Sequence, residues 1–222
     1  MPAVTRISRW GFVNAYLVEE DDGITVIDTG IPGTSRQIIA AAERLGAPIV
    51  RIALTHAHFD HVGSLDALAA ELPAAQLLIT ARDARLLDGE TAAEAGEPQV
   101  RVKGRLPKLK TQVGGRMAAG DRVGSLEVIA APGHTPGQVA FLDARDRTLY
   151  CGDAYLTLGG VETSAKPSMP FPFPALATWH RPTALETARV LRALDPARLA
   201  PGHGKVIESP TAAMDQAIDR AS

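Results

Sequence analysis

Thr55-His56-Ala57-His58-Phe59-Asp60-His61-Val62-Gly63 puts three imidazoles and one carboxylate within six positions of a 222-residue chain that has only 6 histidines. That concentration predicts a metal site rather than a core segment. The run before it, Ile49-Val50-Arg51-Ile52-Ala53-Leu54, is apolar and partly β-branched and reads as a buried strand. After it, Leu65, Leu68, Ala69 and Leu72 recur at the spacing of one helix face. The histidines therefore occupy a strand-to-helix turn. Residues two apart at a strand end point to the same side, so His56 and His58 can grip one ion together. Asp60 and His61, in the tightening turn, project elsewhere and invite a second ion.

Outward from this stretch, residues 3–28 alternate apolar and polar positions in three pieces, Val4 to Ile7, Phe12 to Val18 and Ile24 to Asp28, which predict antiparallel strands. Thr34 and Gln37 have capping-box spacing for a helix that Gly46 and Pro48 stop. A strand at Gln76 to Thr80 and a short helix through Leu87 follow. Alternating strands and helices imply a sheet covered by helices. Residues 89–117 hold seven glycines and prolines without a period and read as a long excursion. Between Pro98 and Gly120 lie Arg101, Lys103, Arg105, Lys108, Lys110 and Arg116 with no acid. This is either a solvated loop or a cationic lip that attracts an anionic part of a substrate.

Strand character returns at Leu126 to Ala130, Gln138 to Leu142 and Thr148 to Cys151, so the second half is expected to repeat the architecture of the first. Residues 166–182 contain Pro167, Pro170, Pro172, Pro174 and Pro182 among Phe171, Phe173 and Trp179. Proline is expected to exclude regular structure here. The segment could roof a substrate pocket, form the contact of a homodimer, or simply fill space. Thr183 and Glu186 have capping-box spacing for the next helix; a strand is expected at Arg198 to Ala200, and Ser209 and Pro210 read as N-cap and first residue of the last helix.

Hydrophobic residues make up 45% of the chain, ordinary for a globular protein, and one domain over 1–222 is expected. The net charge of -2 and a pI near 6.3 give no global attraction to nucleic acid or anionic membrane, so neither is an expected partner. Cys151 stands alone, which excludes an intrachain disulfide. Met1 to Glu20 has no uninterrupted apolar stretch behind a basic start, and no uncharged apolar run approaches the ~18 residues of a membrane span. Cytoplasmic residence is the expectation.

Three further positions extend the site. His134 lies in Pro132-Gly133-His134-Thr135-Pro136-Gly137, Asp153 follows Leu149-Tyr150-Cys151-Gly152, and His203 follows Pro201-Gly202. Each stands just after an expected strand, and flanking glycines let the backbone approach a crowded centre. His180 has no such frame. Asp28 and Thr55 are candidates to support the ligands or to serve only their turn and strand end.

His56, His58, Asp60, His61, His134, Asp153 and His203 together resemble the ligand set of the metallo-β-lactamase superfamily, with matching motifs from Asp28-Thr29-Gly30 to Pro201-Gly202-His203. The resemblance implies an α/β fold, a four-layer αββα sandwich of two mixed sheets with outer helices and two divalent metal ions at one edge. It assigns His56, His58 and His134 to one ion, Asp60, His61 and His203 to the other, and Asp153 to both. Imidazole and carboxylate donors make zinc the expected metal, with iron or manganese as alternatives. Asp60 would orient the attacking hydroxide and pass a proton to the leaving group. Tyr155, just after the bridging position, would contact the substrate carbonyl.

Within the superfamily, the commonest zinc β-lactamases resemble this pattern but place a cysteine where Asp153 stands. Flavodiiron relatives carry Glu at the position of His58, and nuclease members carry an insertion for which there is no room. Small hydrolases resembling hydroxyacylglutathione hydrolases and acyl-homoserine lactonases remain. About twenty residues follow His203, which weakens the glutathione reading. The expected activity is hydrolysis of a small ester, lactone or thioester by a metal-bound hydroxide, with a small acyl substrate as partner. The alternatives are a mononuclear iron enzyme of the persulfide dioxygenase type and a non-catalytic binding protein on the same fold.

Overall fold

The computed structural model describes residues 4–222; Met1–Ala3, the start of the domain expected over 1–222, lie outside the described residues. In chain order the first half contains β1 (Thr5–Arg9), β2 (Val13–Glu20), β3 (Gly23–Ile27), α1 (Ser35–Leu45), β4 (Ile49–Ala53), α2 (Phe59–Val62), α3 (Leu65–Glu71), β5 (Gln76–Thr80), α4 (Ala81–Leu87) and β6 (Gly115–Met117). The second contains β7 (Arg122–Val123), β8 (Leu126–Ala130), β9 (Val139–Asp143), β10 (Thr148–Gly152), β11 (Tyr155–Leu156), β12 (Glu162–Thr163), α5 (Phe173–Ala177), α6 (Arg181–Ala193), β13 (Arg198–Pro201), β14 (Ile207–Glu208) and α7 (Thr211–Ala221).

Successive strand residues face opposite sides, and that parity builds the layers. In β2, Ala15 and Leu17 face a cluster shared with Ile38 of α1 and Leu65 and Leu68 of α3, while Tyr16 and Val18 face the second sheet. In β9, Val139 and Phe141 return that contact, while Ala140 and Leu142 pack with Ala188 and Leu191 of α6 and Met214 and Ala217 of α7. Helices, sheet, sheet and helices thus stack in four layers, the αββα sandwich that the resemblance implies. Leu65 and Leu68 are wholly buried. Truncating either to Ala would cost about 2–5 kcal/mol and loosen the helix that follows the histidine turn.

The first sheet runs in the order β1-β2-β3-β4-β5-β6, antiparallel through β3 and parallel beyond it. The second runs β14-β13-β10-β9-β8-β7, with β10 and β13 parallel and its other pairs antiparallel. The first half has three antiparallel strands (β1–β3) and the second four (β7–β10), and in each a helix then leads to a parallel strand, β4 or β13. That is the expected architectural repeat, without a repeat of residue identities.

Several local expectations need correction. Thr34 stands at the N-cap position of α1 but forms no capping box: its hydroxyl donates to Ile31 O at 2.8 Å rather than accepting from the helix. Helix α6 is capped by His180, whose ring accepts from the Thr183 backbone, so the helix starts two residues before Thr183. The N-cap of α7 is Pro210, whose carbonyl takes the Met214 N–H at 2.9 Å. The proline-rich segment includes helix α5 and the start of α6, with Pro174 and Pro182 in their first turns. Proline is tolerated there because those N–H groups have no intrahelical acceptor. The excursion after α4 ends in β6, which extends the first sheet.

Candidate metal centre

The seven predicted ligands lie in loops and the short helix α2 at the same edge of both sheets. The turn after β4 delivers His56 and His58, and α2 carries Asp60 and His61. Gly63 makes this turn possible, because a side-chain carbon there would meet Phe59 O at 2.7 Å and Gly30 O at 2.9 Å. His134 comes from the loop between β8 and β9, Asp153 from the end of β10 and His203 from the end of β13.

All seven predicted ligands converge. Potential ligand atoms of His56, His58 and His134 lie within 4.8 Å of one another, as do those of Asp60, His61 and His203. Asp153 joins the two groups: its Oδ1 is 3.1 Å from His61 Nε2, and its Oδ2 is 3.4 Å from His134 Nε2 and 3.2 Å from His203 Nε2. His203 Nε2 is also 3.2 Å from Asp60 Oδ2.

Outer hydrogen bonds decide which ring nitrogen faces inward. Nε2 of His58 meets Lys103 O at 2.9 Å, Nδ1 of His203 meets Phe12 O at 2.9 Å, and Nδ1 of His61 meets Asp28 Oδ2 at 2.7 Å. Carbonyl and carboxylate oxygens only accept, so each of these nitrogens must carry hydrogen. The Thr55 hydroxyl donates to Asp28 Oδ2 at 2.7 Å and is thereby free to accept from His56 Nδ1 at 3.0 Å. Thr178 donates to Pro174 O and accepts from His134 Nδ1, likewise at 3.0 Å. Five imidazoles are thus pinned from outside, leaving Nε2 of His56, His61, His134 and His203 and Nδ1 of His58 toward the cluster. Such outer bonds fix ring orientation and raise donor strength toward a metal.

The donor set fits divalent metal ions. His56 Nε2 is buried without a hydrogen-bond partner, and His61 Nε2 and Asp153 Oδ1, although 3.1 Å apart, are not aligned to bond to each other, an arrangement that costs free energy unless another group satisfies them. Burial pushes the His134 pKa down to about 3 and lowers those of His56 and His58, making these rings neutral donors. At His203 burial acts the same way, but Asp153 and Asp60 overcome it and raise the pKa to about 10. Asp153 and Asp28 likewise raise His61. Burial would raise Asp153 and Asp60, yet neighbouring histidines hold both carboxyls low.

Sequence reasoning missed Asp83, a fully buried carboxylate on α4. Its Oδ2 accepts from Ala57 N and Thr135 Oγ1, and its Oδ1 from Gly137 N, all at 2.8 Å. It therefore ties the His56–His58 turn to the His134 loop. The spacing Thr80-x-x-Asp83 signals only a helix start, which it also makes, with Thr80 as N-cap.

Tyr155 requires correction. It is fully buried in the core beneath α6 and donates to Ala188 O at 2.7 Å, so its hydroxyl does not reach the cluster. His180 serves as a helix cap. A cavity of about 90 Å³ opens over the cluster. His58, Asp60, His134, Asp153 and His203 line it, with Gly104 and Arg105 from the basic excursion and Phe171, Phe173, Pro174 and Ala177 from the proline-rich segment.

Residues 8–203 match the family model of the metallo-beta-lactamase superfamily, and the chain belongs to that superfamily. It is 47% identical over 210 residues to the uncharacterized protein YobT of Bacillus subtilis strain 168, covering 94% of this chain and 90% of YobT. A hydroxyacylglutathione hydrolase of Stenotrophomonas maltophilia strain R551-3 is 29% identical over 147 residues, covering 64% of this chain but 46% of that enzyme. Among solved structures, TTHA1623 in a di-iron-bound form superposes with a TM-score of 0.69 at 28% identity, covering 96% of this chain and 97% of that one. No helix among the described residues is long and apolar enough to cross a membrane.

Proposed function

We propose that this chain is a metal-dependent hydrolase that opens a small ester, lactone or thioester. The observation that carries the proposal is the convergence of five externally pinned imidazoles and two carboxylates beneath one small cavity. When bound, two divalent ions would supply a hydroxide at neutral pH and electrostatic stabilisation of the oxyanion formed at the attacked carbonyl.

The chain's own groups have separate tasks. His56, His58 and His134 would hold one ion and Asp60, His61 and His203 the other, with Asp153 shared. Asp60 lines the cavity and its side chain keeps 36% exposure, in contrast to the 2% of Asp153. It is placed to orient a nucleophile and carry a proton to the leaving group. Phe171, Phe173 and Pro174 line one side of the cavity, giving an apolar surface suited to an acyl or leaving group.

Zinc is the proposed metal on donor chemistry, with iron the competing choice given the di-iron form of TTHA1623. Acid release in a pH-stat, with a short thioester and a lactone compared side by side, tests the activity. Asp60→Asn and His134→Ala should each lower turnover at least ~100-fold while circular dichroism stays unchanged. A wild-type rate in either variant would refute the assignment. One iron per chain, coupled to oxygen consumption with a persulfide and no acid release from esters, would favour the mononuclear iron alternative.

A further inference from the structure

The basic excursion is fastened to the metal centre at two points. Lys103 O accepts the His58 ring N–H at 2.9 Å, and Arg105 O accepts the Phe59 N–H at 2.9 Å. Gly104, between them, lies so close to the His58 ring that a side-chain carbon would collide with it. The Arg105 guanidinium carbon stands 4.1 Å from the centroid of the Phe59 ring. Phe59 itself lies between His58 and Asp60, so backbone and side-chain contacts together hold this cation at a fixed place beside the site.

Three features then converge on Arg105. Among the described residues it is the only Arg or Lys lining the cavity, and no carboxylate pairs with it. The contact of the guanidinium carbon over the Phe59 ring uses none of the guanidinium N–H groups as donors to protein oxygens, which leaves them for a planar anion. The proline-rich side of the cavity, Phe171, Phe173, Pro174 and Ala177, offers no side-chain hydrogen-bond donor. Polar orientation of a substrate away from the metals therefore falls to Arg105.

We infer that Arg105 is a specificity-determining residue that binds a carboxylate on the substrate, and that the preferred substrates are short acyl compounds bearing a second, anionic group. The inference rests on the hydrolase reading of the same site. The volume of about 90 Å³ limits the bound portion to a few carbons. The anionic end meets Arg105 while the acyl carbon faces the metal centre.

Calorimetric titration of the zinc-loaded protein with malonate, succinate and glutarate, each against its monoamide, tests this without requiring turnover. One carboxylate is common to each pair, and only the second differs in charge. The best-fitting diacid should bind at least ~10-fold more tightly than its monoamide, as expected for a charge-assisted bidentate contact. Arg105→Ala should abolish that ratio, bringing each diacid to the affinity of its monoamide, and Arg105→Lys should restore part of it. Equal affinity within every pair, no binding by any diacid, or full discrimination in Arg105→Ala would each overturn the inference. Acid release from short esters, run alongside, separates the two readings. Discrimination without hydrolysis would sink only the hydrolase, and hydrolysis without discrimination only the role of Arg105.

Discussion

Asp28 Oδ2 accepts a hydrogen bond from His61 Nδ1 at 2.7 Å, with both side chains almost completely buried. The same carboxylate accepts from the Thr55 backbone N–H and hydroxyl, each at 2.7 Å. Asp28 also occupies the left-handed backbone region at φ 59°, a conformation costly for a residue with a side chain and held here by those bonds. Asp28→Ala should weaken metal binding about 10–100-fold at the group containing His61, with a smaller effect on the His56–His58–His134 group. A zinc titration against a chelator resolves the two steps; unchanged affinities would contradict the coupling.

Metal uptake should release protons. Near pH 7, metal-free His203, with its pKa raised to about 10, and His61, also raised, carry protons that must leave before either ring donates to a metal. Affinity should therefore fall with falling pH. For the metal-free fold the sign is opposite: the raised His203 pKa contributes stability below the ordinary histidine value, and this is lost as pH rises toward 10. An indicator dye in weak buffer, with zinc added to metal-free protein, measures the release. Zinc binding without acidification would rule it out.

Asp83 should give the fold a separate pH dependence. Burial raises its pKa to about 6 despite hydrogen bonds from Thr135, Ala57 and Gly137. The folded state then holds the proton more tightly than the unfolded chain, so this group's contribution to stability declines as pH rises from about 4 through 6. Asp83→Asn should flatten that slope. It should also destabilise the protein by about 1–3 kcal/mol, because an amide nitrogen cannot accept the bonds the carboxylate takes. Thermal melts across this range check both effects.

Tyr155→Phe should leave turnover within about 2-fold and lower stability by about 1 kcal/mol through loss of the bond to Ala188 O. A large fall in kcat with unchanged stability would restore the tyrosine to the site.

Gly202→Ala should disable the centre by crowding alone. A side-chain carbon there would collide with Asp153 Oδ1 and lie 2.5 Å from His61 Cε1. Metal content should fall while secondary structure persists. Full metal occupancy would mean that the loop can yield.

The sequence by itself determined the longer strands and the seven residues that converge, and its resemblance to a known family implied the layers; the short strands β6, β7, β11, β12 and β14 were not legible in it. Strand parity separates Leu17 from Tyr16 before any partner is known, and metal chemistry requires imidazoles and carboxylates that stand out when crowded after a strand or framed by glycine. Tertiary structure alone decided what surrounds them. Lys103 O, Phe12 O and Thr178 Oγ1, which fix the rings of His58, His203 and His134, lie 45, 191 and 44 positions away along the chain. Asp83 and Tyr155 exchanged their expected importance for the same reason. Periodicity says which face of a strand or helix is covered, but the partner of a buried polar group is chosen by the packing of elements distant in sequence, and no local pattern carries that information.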